Sequence, residues 1–376
     1  MSDLTHSNRL VSLDAFRGMT IVGMILVNNP GSWEFVYPPL LHATWHGWTP
    51  TDFIFPFFLF IMGVAMSFSF GKRIEIGASQ KAVFKKVISR TLKIFFLGLL
   101  LNFYWFFDIE SLRIPGVLQR IALCYLFAAI IMLKANKKWQ IGISAIILVL
   151  YWVLLKLVPV PGYGAGVLEP MGNLCWYIDS NLLAGHTWEG APALGFDPEG
   201  ILSTLPAIIT TMLGVFTGDW LRSDKGHYEK VSAIFVWGCI ALVVGIVTSI
   251  WMPINKNLWT SSYVIFMAGM ALLFLGVCYW FIDVKGNKKW AFPFVVFGMN
   301  AIAAYFTLSL IGKTIAYWNF TQGDGTTTSV KGWLYQNLFQ PWAGDYIGSL
   351  LFPIAMMFIW FFFLYWLYKK KIFIRL

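Results

Sequence analysis

The sequence predicts an all-α protein, a polytopic transmembrane helical bundle of about ten spans with both termini in the cytoplasm. The first observation is composition, because 58% of the 376 residues are hydrophobic, only 12% are charged and the mean hydropathy is +0.67. A soluble domain carries about a quarter charged residues, so this chain has too few charges to cover a surface in water. The second observation is a series of apolar runs, each near the roughly 20 residues that a helix needs to cross a bilayer.

Ten such runs divide the chain and predict a single membrane domain over residues 1–376. The runs are 10–29, 50–70, 92–107, 116–133, 140–158, 201–220, 231–250, 258–281, 291–312 and 347–368. Three long segments between them, near 30–49, 159–200 and 313–346, are rich in Trp, Tyr, Gly and Pro and are predicted to lie outside. Ordered loops of this length usually have a function, although aromatic belts at the membrane surface are the alternative explanation.

Positive charge orients the bundle. With the N-terminus inside, 21 of the 28 Lys and Arg residues fall on the cytoplasmic side, six fall outside, and Arg17 lies within the first run. An excess of cations on the inner side is the usual pattern of membrane topology. The net charge of +10 therefore needs no nucleic-acid partner, and none is predicted.

The first run contains an ionisable pair. Asp14 and Arg17 are three residues apart, so they share one helical face and can neutralise each other. Placing a charge inside a membrane costs free energy, so the pair needs an explanation. The pair can be purely structural, or Arg17 can face a polar cavity and bind an anion such as phosphate. The helix is predicted to end at Asn28 and Asn29, because a Pro-Gly pair follows.

The next segment holds the clearest acid–base candidates. His42 and His46 precede a helix start at Thr49 and Pro50, and Asp52 falls in the first turn of that helix. Histidine exchanges a proton near neutral pH, and a carboxylate partner would orient the ring and raise its basicity. Asp52 is equally explained by the helix dipole. Two histidines without further ligands are a weak metal signal, so no metal is predicted.

The loop before the sixth run is acidic. Residues 177–199 contain Asp179, His186, Asp197 and Glu199 but no Lys or Arg. This pattern predicts an acidic outer vestibule that would attract a cationic acceptor. The last two acids also fit an ordinary helix start, and that explanation stays open.

Two residues near the start of the eighth run suit sugar binding. Asn257 offers hydrogen bonds and Trp259 offers a ring for stacking, although Trp at a membrane interface needs no ligand. Arg120 lies at the start of the fourth run and Asn300 lies inside the ninth.

Seven stretches, taken in order, resemble the heparan-α-glucosaminide N-acetyltransferase family and its bacterial N-acetylglucosamine-related membrane proteins. They are S-L-D-A-F-R-G, H-A-T-W-H-G-W-T-P-T-D-F-I-F-P-F-F-L-F-I-M-G, L-R-I-P-G-V-L-Q-R, Y-I-D-S-N-L-L-A-G-H, D-P-E-G-I-L-S-T-L-P, N-K-N-L-W-T-S-S-Y-V and G-M-N-A-I. The resemblance implies an integral membrane acetyltransferase that takes acetyl from cytosolic acetyl-CoA and passes it to an amino-sugar amine on the outer face. It also implies that His42 is tied to acetyl transfer, with Asp52 and Asn28 beside it.

The chemistry of acetyl transfer fits these residues. The acceptor ammonium must lose a proton and the carbonyl oxyanion must be stabilised. His42 can be the base or a nucleophile that forms an acetyl-imidazole, Asp52 would orient it, and Asn28 could donate to the oxyanion. The predicted donor-binding residues are Arg17, Asp14, Arg120 and Asn300, and the predicted acceptor-binding residues are Asp179, His186, Asn257 and Trp259.

The predicted partners are acetyl-CoA, as donor substrate, and a glucosamine-type acceptor, while a homodimer is left open. A bacterial-type chain of this family is expected in the inner (plasma) membrane as a multi-pass protein. The alternative function is a transporter of N-acetylglucosamine or a related sugar, in which Asp14, Arg17 and Asp52 would be coupling or substrate groups.

Overall fold

The computed structural model describes residues 10–75, 79–323 and 325–374, without the side chains of 72–75. Helices dominate this part of the chain: α1 (Val11–Asn28), α2 (Ile54–Glu75), α3 (Gln80–Phe103), α4 (Val117–Lys134), α5 (Lys137–Leu157), α6 (Leu174–Leu182), α7 (Thr204–Arg222), α8 (His227–Thr248), α9 (Ser261–Cys278), α10 (Phe292–Met299), α11 (Ala301–Tyr317), α12 (Val330–Leu334) and α13 (Gln340–Lys369). A short antiparallel hairpin, β1 (Asn319–Thr321) and β2 (Thr327–Ser329), precedes α12.

The predicted all-α membrane bundle is confirmed. Every predicted run overlaps a helix, and α1 ends at Asn28 as expected. In the described residues, seven helical spans are long and apolar enough to cross a membrane. The bent pair of α10 and α11, which turns by 80° at Asn300, would make eight. The full count of ten spans and the cytoplasmic location of the termini stay predictions.

Glycines bring the central helices into backbone contact. A Cβ added at Gly63 of α2 would lie 1.9 Å from the Thr211 carbonyl oxygen of α7, and one at Gly18 of α1 would lie 1.7 Å from the Phe294 oxygen of α10. Small residues at helix contacts allow this close approach in membrane bundles. The helical turn Pro50–Phe53, which contains Asp52 and leads directly into α2, is therefore attached to a tightly packed helix pair.

Loops that the charge pattern places outside meet at one end of the bundle. The Gly47 amide donates to the Ile254 carbonyl at 2.7 Å, and the Ile114 amide donates to the His186 carbonyl at 3.0 Å. These bonds join the segment after α1 to the α8–α9 loop, and the α3–α4 loop to the segment before α7. We refer to this end as the His42 end.

The described termini lie together at the opposite end, the terminal end. The Asn300 side chain donates to the Ile372 carbonyl at 3.1 Å and accepts from the Ile374 amide at 2.9 Å. Leu10 and Ile374 line one cavity there. Both ends of the described part of the chain, Leu10 and Ile374, thus lie on the same side of the bundle, which is compatible with the predicted topology.

Candidate active site

His42 and Asp52 lie in direct contact at the His42 end. Thr49 and Asp52 form a capping box around the helical turn Pro50–Phe53, in which the side chain of each accepts the backbone N–H of the other. This local structure fixes the carboxylate where the chain enters α2. Asp52 Oδ1 then lies 2.6 Å from His42 Nδ1, so the structure brings the predicted pair together.

The remaining bonds of Asp52 hold the carboxylate in place. Its Oδ2 accepts from the Ala43 amide at 3.1 Å, the Thr49 amide at 2.9 Å and the Thr49 hydroxyl at 3.2 Å. The Asp52 side chain is 1% exposed and that of His42 is 48% exposed. A fixed acceptor at Nδ1 favours the tautomer with the proton on Nδ1, so Nε2 carries the lone pair that can accept a proton.

Lys256 completes this cluster. Its Nζ lies 3.1 Å from each ring nitrogen of His42 and 3.8 Å from Asp52 Oδ1. Burial lowers the pKa of the Lys256 ammonium, while Asp52 and Glu199 act in the opposite direction. The cluster therefore combines an imidazole, an orienting carboxylate and a cationic donor.

His42 opens into a cavity of about 430 Å³, the His42 cavity. Asn28 and Asn257 line it as predicted site residues, and Lys256 lines it beside them. Apolar side chains such as Phe58 form much of the remaining wall. The volume and the mixture of an apolar wall with a few polar groups are typical of small-molecule sites.

Arg113 contributes another part of the wall and corrects the predicted acidic vestibule. It binds Asp197 through two bonds of 2.8 and 2.7 Å and Glu199 through one of 2.5 Å. Burial disfavours the charge of Arg113, but Asp197 and Glu199 outweigh burial and hold the pKa of Arg113 above its usual value. The expectation of acids without an opposing cation was wrong, because the cation comes from the distant α3–α4 loop.

A second cavity, of about 610 Å³, lies at the terminal end and is called the inner cavity. Arg17 and Asp14 line it, and their side chains form the predicted ion pair at 3.2 Å. The inner cavity and the His42 cavity share three apolar wall residues, Phe58, Ile121 and Ile302. The two cavities therefore approach each other across a short apolar zone in the middle of the bundle.

Two other predicted residues are buried behind the His42 cavity. Arg120 and Trp259 are each 1% exposed, and the guanidinium lies 5.2 Å from the indole ring centre. Arg120 donates to the Gly200 carbonyl at 3.2 Å and to the Ser203 hydroxyl, and Trp259 donates to Thr210 at 3.1 Å. These contacts hold helices and loop together, and donor or acceptor binding by either residue stays a prediction.

Asp179, His186 and Asn300 also make structural contacts. Asp179 is fully buried, accepts from the Ile201 amide at 3.0 Å, and has its pKa raised to about 7 by burial. His186 Nδ1 lies 2.8 Å from the Leu112 carbonyl oxygen. The Asn300 amide is occupied by the C-terminal backbone, as described above. All three lie outside the lining of the described cavities, and their predicted ligand roles stay predictions.

Lys256 and Arg113 were not predicted as site residues. Their roles depend on contacts between segments that are far apart in sequence, since Lys256 is 214 residues from His42 and Arg113 is 84 residues from Asp197. The sequence did contain one indication that these two residues could belong to a site. Both belong to the small group of cations predicted to lie outside, where cations are scarce and therefore informative.

Comparisons with known proteins find one family with a similar sequence. The family model described as "Heparan-alpha-glucosaminide N-acetyltransferase, catalytic" matches residues 9–246, a range that includes His42 and Asp52. The heparan-alpha-glucosaminide N-acetyltransferases of Mus musculus and Homo sapiens are each 29% identical to the chain. The alignments cover 98% and 97% of the chain but 61% and 59% of those relatives, so the chain spans about three fifths of their length.

Proposed function

Because the chain belongs to the heparan-alpha-glucosaminide N-acetyltransferase catalytic family, we propose that it moves the acetyl group of acetyl-CoA onto the amine of a glucosamine-type sugar. The observation that carries this proposal is the 2.6 Å contact between His42 Nδ1 and Asp52 Oδ1 at the wall of the His42 cavity. A base with an orienting carboxylate suits the transfer of acetyl to an amine, because the acceptor ammonium must lose a proton.

In the direct mechanism, His42 Nε2 takes a proton from the sugar ammonium. The freed amine attacks the thioester carbonyl carbon, and the C–S bond breaks as the tetrahedral intermediate collapses. The attacking nitrogen loses its remaining proton to solvent, and the imidazolium, stabilised by Asp52, returns its proton to the CoA thiolate, so that one proton is released overall. In a two-step mechanism, Nε2 itself attacks the carbonyl and the C–S bond breaks to release the CoA thiolate, which takes up a proton from solvent. The deprotonated amine then attacks the acetyl-imidazole, loses its remaining proton to solvent, and releases the free imidazole of His42.

Three donors near His42 suit the developing oxyanion. The Lys256 ammonium touches the imidazole, and the Asn28 and Asn257 amides line the same cavity. Donors aimed at a negative charge that develops in the transition state are worth more in a site shielded from water than in solution. We assign oxyanion stabilisation to Lys256 first, because its charge is adjacent to the reacting position.

The inner cavity suits the phosphate-bearing part of CoA. Arg17 and Arg90 both line it, and a guanidinium binds phosphate through paired hydrogen bonds. Asp14 fixes Arg17, and Asn300 holds the C-terminal segment whose Ile374 forms part of the wall. The acyl arm of the donor would pass through the shared apolar zone to reach His42.

The activity test compares wild type with a catalytic and a control variant. Detergent-solubilised protein is incubated with radiolabelled acetyl-CoA and glucosamine. His42→Ala should lower kcat at least about 100-fold, whereas His227→Ala, a histidine at the terminal end that contacts Tyr279, should not. A folded His42→Ala protein with full activity would overturn the assignment. Uptake of N-acetylglucosamine into sealed vesicles without acetyl-CoA would favour the transporter instead.

We propose that the terminal end faces the cytoplasm, because most Lys and Arg lie on that side, and that the protein resides in the inner (plasma) membrane. Labelling of single cysteines tests the orientation. Cys239 is exposed and is first changed to Ser. Glu189→Cys should then react with an impermeant thiol reagent added to intact cells, and Lys81→Cys should react only after permeabilisation. The reverse pattern would refute the topology.

A further inference from the structure

A third cavity, of about 360 Å³, adjoins the His42 cavity, and we name it the basic side pocket. Three cations line it, Arg113, Lys313 and Lys331, and within the described residues no Asp or Glu does. Arg113 is already neutralised by Asp197 and Glu199. The excess positive charge of the pocket therefore comes from the two lysines.

Both lysines retain donors for a ligand. The Lys313 ammonium donates to the Leu101 carbonyl at 2.6 Å, which uses one of its three protons. The Lys331 ammonium lies 5.6 Å from the ring centre of Trp33, a cation–π distance. Over the described ranges, neither lysine forms an ion pair. Removing water from an ammonium costs free energy when no carboxylate replaces the water. An anion that enters the pocket would offset this cost, so the pocket favours binding of an anion.

Gln119 gives an independent sign of a missing ligand. The residue is 3% exposed and lines the basic side pocket. Its Nε2 has no hydrogen-bond partner in the part of the chain that the structure describes. Buried amide groups are almost always hydrogen-bonded, and a ligand oxygen in this pocket would satisfy the group.

The basic side pocket and the His42 cavity are neighbouring parts of one space. Asn28, Arg113 and Tyr305 line both of them. A molecule whose amine lies at His42 can therefore extend past Asn28 and reach the lysines. The basic side pocket shares lining residues with the His42 cavity but none with the inner cavity, where we place the phosphates of the donor.

We propose that the basic side pocket binds an oxyanion of the acceptor, so that the preferred acceptor is an amino sugar bearing a phosphate or a carboxylate. This inference rests on the proposed acetyl transfer, since the amine must lie at His42. Lys313 and Lys331 bind the oxyanion, and Gln119 donates one hydrogen bond. The anion comes either from a phosphate ester on the sugar or from the carboxylate of a linked uronic acid.

The test compares three acceptors at saturating acetyl-CoA: glucosamine, glucosamine 6-phosphate and a disaccharide of glucuronic acid and glucosamine. We expect kcat/KM for at least one anionic acceptor to exceed that for glucosamine about 10-fold or more, because charge-assisted hydrogen bonds are about twice as strong as neutral ones. The acceptor with the higher kcat/KM shows whether the bound anion is a phosphate or a carboxylate.

Variants localise the effect. Lys313→Met and Lys331→Met should each lower kcat/KM for the favoured acceptor about 10-fold and leave that for glucosamine unchanged. Lys313→Arg, which keeps the charge, should retain most of the preference. Lys156→Met is the matched control, since Lys156 lies near the same end, at the C-terminal end of α5, but lines none of the described cavities.

Two kinetic results would overturn the inference. One is equal kcat/KM for all three acceptors, and the other is a lysine variant that raises KM for acetyl-CoA but not for the anionic acceptor. If wild type acetylates no amine, the proposed function fails on its own, and calorimetry decides the pocket. Tighter binding of an anionic sugar than of glucosamine, reduced by Lys331→Met, would then support the pocket, and equal binding would refute it.

Discussion

Replacing Asp52 with Asn should disable His42 while leaving the fold almost unchanged. Oδ2 of Asp52 accepts from three donors, the Ala43 amide and the amide and hydroxyl of Thr49, while Oδ1 faces the imidazole. The oxygen of an Asn amide must therefore take the Oδ2 position, and its NH₂ group must point at His42 Nδ1. Nδ1 then accepts a hydrogen bond, and the ring proton moves to Nε2.

In this tautomer the nitrogen that faces the cavity carries a proton. It can neither accept the proton of the sugar ammonium nor attack the thioester. General base catalysis contributes about 10²–10⁴ in rate, and the wrong tautomer costs about 10⁴ in a Ser-His-Asp triad. We expect Asp52→Asn to lower kcat by about 10²–10⁴, or about 2.7–5.4 kcal/mol of transition-state stabilisation. KM for acetyl-CoA should stay unchanged, because the inner cavity is untouched.

The assay follows release of the CoA thiol at saturating acetyl-CoA and glucosamine, with protein purified in detergent. Glu229→Gln is the matched control, because it makes the same carboxylate-to-amide change at the terminal end, in an exposed pair with Lys225. Melting temperatures establish that both variants are folded. A folded Asp52→Asn protein with kcat within about 10-fold of wild type would refute the tautomer argument, because a misplaced proton must cost more than this.

Removing a cation, filling a helix contact and changing pH give three more tests. Arg113→Met leaves the buried Asp197 carboxylate unpaired and should lower the free energy of unfolding by about 3–5 kcal/mol; an unchanged melting temperature would contradict this. Gly63→Ala overpacks a backbone contact and should cost about 1–3 kcal/mol, whereas Gly142→Ala, which meets nothing within 4 Å, should not destabilise. Burial raises the pKa of Asp179 from 3.8 to about 7, so its contribution to stability is greatest below about pH 4 and is lost as pH rises through about 7. Asp179→Asn should make the melting temperature depend less on pH over this range. An unchanged pH dependence would show that Asp179 is not its source.

The helices could be predicted because the apolar runs are long and their ends carry local signals. The end of α1 at Asn28 and the cap at Thr49 follow from neighbouring residues alone, and both are found in the structure. α3 differs more, since it begins at Gln80, well before the predicted run at 92–107. Its first turns are rich in Lys, which hides a helix from a search for apolar residues but does not prevent one from forming.

The contacts between site residues were predictable only where the two partners are close in sequence. His42 and Asp52 are ten residues apart, and Asp14 and Arg17 are three apart, so local spacing was sufficient to pair them. Lys256 reaches His42 only because the α8–α9 loop folds across the segment after α1. Trp259 is buried among helices, and its predicted stacking on a sugar stays a prediction, because hydrophobicity and ring shape serve a core as well as a ligand.

Asn255 explains how two loops are held closely enough to build the cluster. It is fully buried, its Nδ2 donates to the Trp45 carbonyl at 2.9 Å, and its Oδ1 accepts from the Leu258 amide at 2.8 Å. One side chain thus shapes the turn that carries Lys256 and ties that turn to the segment that carries His42. Catalytic groups must be positioned within fractions of an ångström, which loops achieve only when such buried bonds fix them. The geometry at His42 therefore depends on the hydrogen bonds of Asn255 between these loops as much as on the helices beneath them.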